Sequence, residues 1–215
     1  MRLFSPEIVP LADTRDWSLW RRPVALLVLM AVGMPLSFAV WVAAIQNFVI
    51  EIANFDGSNW GWMQTVREIP GFLAIGVILV IRHVREQRLA LLSLAMLGGA
   101  VAVTGYFPTF TGLLLTTLIS SIGFHYYETV NQSLQLQWID KLRAPQVLGW
   151  LIAAGSGATL VAYVLIVMTW EAFDLSYNTV YLLAGGFTAL VALFCLFAYP
   201  QFAAPHPQVK RMVLR

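Results

Sequence analysis

Residues Phe110–Trp138 read FTGLLLTTLISSIGFHYYETVNQSLQLQW, and the two halves of this stretch ask for different surroundings. The first half is apolar enough to lie in hydrocarbon. The second half carries His125, Glu128, Asn131, Gln132 and Gln135. Placed on a helix, Ser121, His125, Glu128, Gln132 and Gln135 fall within about 80° of one another, a single polar stripe. Such a stripe cannot face lipid, because an ionisable group at the bilayer centre costs about 2.5–3.5 kcal/mol on insertion scales. It faces a water-filled cavity, a pore or a polar partner helix, or it serves as hydrogen-bonding glue between helices. Glu128 lies one turn from His125, close enough to share a proton, and the two form the best proton-relay candidate in the chain.

Outward from this stretch, apolar blocks recur on both sides. Apolar residues make up 59% of the 215 and charged residues only 11%, against about 25% charged in a soluble domain. A chain so poor in charge cannot cover a soluble core with polar groups. Each block is long enough to cross hydrocarbon, which takes roughly 20 helical residues. The reading is an all-α polytopic membrane protein with six transmembrane helices: Val24–Val49, Trp62–Ile81, Leu89–Tyr106, Phe110–Trp138, Leu148–Trp170 and Thr179–Tyr199. Residues 1–22 form an N-terminal segment, 23–199 the bundle, and 200–215 a basic tail or linker. A β-barrel would show alternating strands of roughly 10 residues, and none appears. Trp60, Trp62, Trp138, Trp150 and Trp170 lie near span ends, as an interfacial belt does.

Charge sets the expected orientation. One set of connectors holds Arg2, Arg15, Arg21, Arg22, Arg82, Arg85, Arg88, Lys141, Arg143, Lys210, Arg211 and Arg215, while the other holds Glu51, Asp56, Glu171 and Asp174 without Lys or Arg. The positive-inside rule then puts both termini in the cytoplasm, with the protein in a cytoplasmic or inner membrane. The basic residues sit in short connectors rather than along one helix face, which argues against a nucleic-acid partner.

Two more intramembrane charges, Arg67 and Glu68, precede Pro70-Gly71. Adjacent helical residues point about 100° apart, so the expectation is either that one lines a cavity while the other pairs sideways or snorkels outward, or that both sit at the headgroup level. In the first span Pro35 permits a kink, and Ser37, Trp41 and Asn47 share one broad face that is a candidate cavity lining. Gly149, Ala153 and Gly157, at four-residue spacing, are candidates for close helix packing, as is Gly185-Gly186. Enzyme chemistry is not expected. Ala154-Gly155-Ser156-Gly157 lacks the first residue of an intramembrane serine-protease motif, and no histidine follows it in the last span to act as base. There is no P-loop, dinucleotide-binding glycine fingerprint or His/Cys metal cluster, so no cofactor or metal is expected. The lone Cys195 excludes an intrachain disulfide.

Six spans, a polar fourth helix and the basic connector Gly76-Val-Ile-Leu-Val-Ile-Arg82-His83-Val-Arg85-Glu86-Gln-Arg88 together resemble the N-terminal half of a major facilitator superfamily (MFS) transporter, over essentially the whole chain. The basic spacing matches the family's signature between helices two and three, while its Asp and second Gly are absent. The resemblance implies a bundle of 3+3 inverted repeats, with Gly76, Arg82, Arg85 and Arg88 as gating-contact residues. It implies secondary active transport of a small solute, with a proton as candidate co-substrate. The solute would sit between the first and fourth helices. His125 and Glu128 would bind solute or proton, and Gln132 and Asn47 would supply hydrogen bonds. Such transporters have two six-helix halves, so the expected partner, besides the lipid bilayer, is a C-terminal half or a second copy. The rival expectation is a non-transporting six-helix subunit that scaffolds a larger membrane complex, its polar stripe buried against a partner.

Overall fold

The computed structural model describes residues 8–203, and the basic residues Arg2, Lys210, Arg211 and Arg215 lie outside that range. The described chain is built on helices: α1 Pro23–Glu51, α2 Gly57–Phe72, α3 Val77–Val80, α4 Glu86–Val103, α5 Phe110–Trp138, α6 Ala144–Trp170 and α7 Tyr177–Ala198. Local chemistry sets many of their ends. Pro23 opens α1, where its missing N–H costs nothing. Asp56, Thr109 and Ser176 cap α2, α5 and α7, accepting the backbone N–H of Asn59, Gly112 and Thr179. Asn54 (φ 53°) and Asp174 (φ 47°) turn the chain through the left-handed region just beyond α1 and α6.

Helices α2 and α3 form one path, interrupted by a 3-10 turn at Leu73–Gly76 just after Pro70-Gly71. Pro70 removes a backbone donor there. Together with Gly57–Val80, the stretches Pro23–Glu51, Glu86–Tyr106, Ala144–Trp170 and Tyr177–Ala198 are long and apolar enough to cross a membrane, five among the described residues. The chain is a helical membrane protein. Helix α5 has the expected bounds but is not among the five, because its Ser, Thr, His, Glu and Gln residues dilute its apolarity.

Helix α4 sits at the centre and packs on α5 and α7; α1 packs on α6 and α7, and α2 packs on α5. Backbone contact is closest where side chains vanish. A Cβ on Gly98 of α4 would lie 2.6 Å from the Gly185 carbonyl and the Ala189 nitrogen of α7. One on Gly123 of α5 would lie 2.7 Å from the Ser93 carbonyl of α4. The core holds Leu26, Leu27, Met30, Phe48, Leu91, Leu94, Tyr127 and Tyr181. Two of its polar groups reach across helices: Tyr127 donates to the Met30 carbonyl (3.0 Å) and Thr188 to the Gly33 carbonyl (2.6 Å).

The expected close packing through Gly149, Ala153 and Gly157 is corrected. All three are exposed, and a Cβ on either glycine would meet nothing within 4 Å. The approach falls instead on Gly155, which lies against the Ala31 carbonyl and Pro35 of α1. Of Gly185-Gly186, only Gly185 is used, and Gly186 meets open space.

At the basic end of the bundle, what reads as a plain N-terminal segment and tail meets in a parallel strand pair, β1 Ile8–Pro10 with β2 Gln201–Ala203. Gln87, buried in the first turn of α4, donates to the Pro200 carbonyl (2.8 Å) and accepts the Phe202 N–H (2.9 Å). Phe202 packs on Trp138 and Trp17, with ring centroids 5.5 and 6.3 Å away, and Tyr199 donates to the Trp20 carbonyl (2.6 Å).

Candidate functional site

A cavity of about 190 Å³ opens where α1, α2, α4 and α5 converge, lined by Phe38, Trp41, Arg67, Glu68, Leu97, Val101, Ser120, Ser121, Phe124 and His125. Each helix brings a different chemistry. Helix α1 supplies Phe38 and Trp41. Helix α2 supplies the charges. Helix α4 supplies the apolar wall of Leu97 and Val101. Helix α5 supplies Ser120, Ser121, Phe124 and His125.

Arg67 and Glu68 form an ion pair, with Glu68 Oε1 accepting from both Nη2 (2.8 Å) and Nε (2.9 Å) of Arg67. The expectation that only one of them lines a cavity is therefore corrected: both line it. Their Cβ atoms do diverge, but the arginine side chain is long enough to swing back over its neighbour. The Arg67 guanidinium carbon also stands 6.0 Å from the Trp41 ring centroid, within the range of a cation–π attraction. From the other side, Ser121 donates its hydroxyl to the Arg67 backbone carbonyl.

The aromatic lining comes from two helices. Phe38 of α1 and Phe124 of α5 stack with centroids 4.8 Å apart and planes 13° from parallel. Phe124 in turn meets the edge of His125 at 5.2 Å. The imidazole lies over Gly71, where a Cβ would sit 3.1 Å from Cε1, so the glycine behind Pro70 makes room for it. Trp41 is buried, and its indole N–H has no acceptor among the described residues. Buried polar groups are rarely left in this state.

The polar stripe of α5 thus divides. Ser121 and His125 turn into the cavity, while Glu128 and Gln132 are exposed on the bundle's own surface and Asn131 and Gln135 are half-buried. No hydrogen bond joins His125 to Glu128 among the described residues; the nearest use of that turn is Thr129, which donates to the His125 carbonyl (2.8 Å). On the first span, Trp41 reaches the cavity, Ser37 is buried beside it in sequence, and Asn47 goes elsewhere. Asn47 lines a wide crevice of about 970 Å³ at the acidic end, with Glu51, Trp170, Glu171, Tyr177 and Asn178, where Tyr177 donates to Glu51 (2.7 Å).

In the expected gating connector, Arg82 and Arg85 are exposed in the turn before α4, and Arg88 is half-buried in its first turn. Gly76 faces the Tyr126 hydroxyl, 3.0 Å from where a Cβ would stand. A polar set that sequence reasoning missed lies alongside. Glu86 accepts from Ser133 (3.1 Å) and Gln137 (2.5 Å) of α5. Its signal was available: Ser133 and Gln137 are four residues apart on one helix face, opposite a connector with an acid. Phe38, Phe124, Leu97 and Val101 carried no such signal, since apolar residues in an apolar span look alike. Among the described residues no cluster of His, Cys, Asp or Glu is arranged to hold a metal ion.

The chain matches no family model, no curated protein and no solved structure. What the site does must be argued from its geometry.

Proposed function

We propose that this chain is a secondary active transporter of the MFS type, or its N-terminal half, moving a small solute by alternating access across a cytoplasmic or inner membrane, with α5 as a sixth transmembrane helix and both termini in the cytoplasm. The observation that carries the reading is the cavity itself. It holds a charge pair, an imidazole and an unpartnered indole N–H among helices that are otherwise apolar. Intramembrane ionisable groups are costly and mark solute or ion pathways.

The helix packing supports a 3+3 arrangement. Exchange of the first three spans with the last three turns α1 into α5, α2–α3 into α6 and α4 into α7. The principal contacts are unchanged by it: α1 with α6 becomes α5 with α2, α1 with α7 becomes α5 with α4, and α4 with α7 maps onto itself. Single contacts follow the same exchange. Gly98 of α4 faces Gly185 of α7, and Phe38 of α1 stacks on Phe124 of α5. Exchanged helices run in opposite directions, as in an inverted-topology repeat with its axis in the membrane plane. The stacked Phe38 and Phe124 come from exchange partners and sit near the middle of α1 and α5, which supports a cavity beside such an axis.

The two exchange partners α2–α3 and α6 are also the least buried of the apolar helices, each 17% buried against 67% for α4. These helices, and the exposed Glu128 and Gln132, are the groups that a second half, or a second copy, would cover. The same groups favour the second reading, a non-transporting subunit whose polar stripe is sealed against a partner. Gln132→Cys, probed with a water-soluble thiol reagent in a Cys195→Ala background, separates the two: labelling is expected where the stripe faces a water-filled cleft between two halves, and complete protection where it is sealed against a partner. Uptake of labelled small solutes into proteoliposomes tests transport itself, and uptake that survives Arg67→Gln and His125→Ala undiminished would remove the cavity from the mechanism.

A further inference from the structure

We propose that the cavity takes a small zwitterion with an apolar body, a free α-amino acid in chemical class, held by opening the Arg67–Glu68 ion pair. This rests on reading the cavity as the solute site of a transporter. Three independent features lead to it.

The first is charge balance. Arg67 and Glu68 neutralise each other across 2.8 Å, with side-chain exposures of 37% and 54%. A solute bearing only a carboxylate would capture Arg67 and leave Glu68 without its cation. A solute bearing only an ammonium would do the reverse. Either introduces a net charge into a site walled by apolar helices, where unpaired charge is expensive. A zwitterion exchanges one ion pair for two, carboxylate to Arg67 and ammonium to Glu68, and the net charge of the site stays the same. No covalent step is involved.

The second is the buried indole N–H of Trp41. It is a donor without an acceptor, on a ring whose centroid stands 6.0 Å from the Arg67 guanidinium carbon. A carboxylate has two oxygens and a surplus of acceptor positions. Once the ion pair opens, a carboxylate drawn to Arg67 with one oxygen has the other to offer to Trp41.

The third is the remaining wall. Phe38, Phe124, Leu97 and Val101 offer no hydrogen bond and form the apolar part of the lining, beside Ser120, Ser121 and His125. Cavities of about 150 Å³ take a benzene ring, so about 190 Å³ suits an aliphatic or small aromatic side chain, with the charged head at the mouth beside half-exposed Glu68.

The test uses the intact protein in lipid nanodiscs and three probes that share one body: leucine, 4-methylpentanoate and 3-methylbutylamine, titrated by calorimetry. Leucine should bind, and each singly charged analogue should bind at least tenfold more weakly. Arg67→Gln should reduce leucine binding at least tenfold. Trp41→Phe keeps the ring and removes the donor, and should weaken leucine several-fold while leaving the amine unchanged; it also serves where Arg67→Gln fails to fold. An anion or cation that binds as tightly as leucine would overturn the proposal. So would the absence of binding by leucine, valine and phenylalanine to protein that unfolds cooperatively. Leucine binding without flux in proteoliposomes would uphold the site and remove the transport reading. Flux of another solute without zwitterion binding would do the opposite.

Discussion

Arg67 and Glu68 show how far a residue's chemistry can depart from its position. Helical spacing predicts that their Cβ atoms diverge, yet their charged ends meet over Trp41. The pair joins adjacent residues of one helix and ties no two elements together. Arg67→Gln should therefore leave the thermal midpoint in detergent nearly unchanged while abolishing solute binding, and a large fall in the midpoint would mean that the pair is structural. Gln87 is the opposite case. It is buried and holds both Pro200 and Phe202, so Gln87→Leu strands the buried Phe202 N–H at a cost of about 1–3 kcal/mol, visible as a clear drop in the same midpoint. Polarity made Trp41, Arg67, Glu68, Ser121 and His125 legible from sequence as site candidates. It did not tell that Asn47, Glu128 and Gln132 lie outside this cavity, because the helical wheel gives a face to every polar residue but does not say which neighbour covers that face. Phe38 and Phe124 were not legible, since nothing in an apolar span distinguishes a ring in a cavity wall from one in lipid.

At the scale of elements, hydropathy located the helices well: Phe110–Trp138 has the expected bounds, and the other long helices begin or end within a few residues of them. Long apolar runs are the strongest signal a membrane chain carries. The β1–β2 pair was invisible for the converse reason. Three residues at each end, parallel and separated by nearly the whole chain, leave no periodicity to read. Small-residue spacing was only half informative. Four-residue patterns mark any helix that has small residues, whereas contact depends on which face the neighbour takes. The structure makes a paired test possible. Gly185→Ala forces a Cβ into the backbone of α4 and should destabilise by about 1–3 kcal/mol, the usual cost of overpacking, whereas Gly186→Ala and Gly149→Ala meet open space and should leave the thermal midpoint unchanged or slightly higher. Equal effects from all three would show that α4 and α7 are not in such close contact.

For the whole molecule, the contacts that survive exchange of α1, α2–α3 and α4 with α5, α6 and α7 carry more meaning than any one motif. They bring α1 and α5 together at the Phe38–Phe124 stack and leave their flanking partners, α2–α3 and α6, uncovered on the outside. In the proposed transporter, a site between α1 and α5 is opened toward either face by rocking the bundle against a second one. A scaffold subunit has no need of that freedom. The distinguishing measurement is two-sided accessibility of the cavity. Ser121 is replaced by cysteine, the closest substitute in size, in a Cys195→Ala background, and a membrane-impermeant thiol reagent is applied to sealed vesicles from one face and then, in vesicles of opposite orientation, from the other. The account predicts that Cys at position 121 is labelled from both faces. Labelling from one face alone, or from neither, would contradict it.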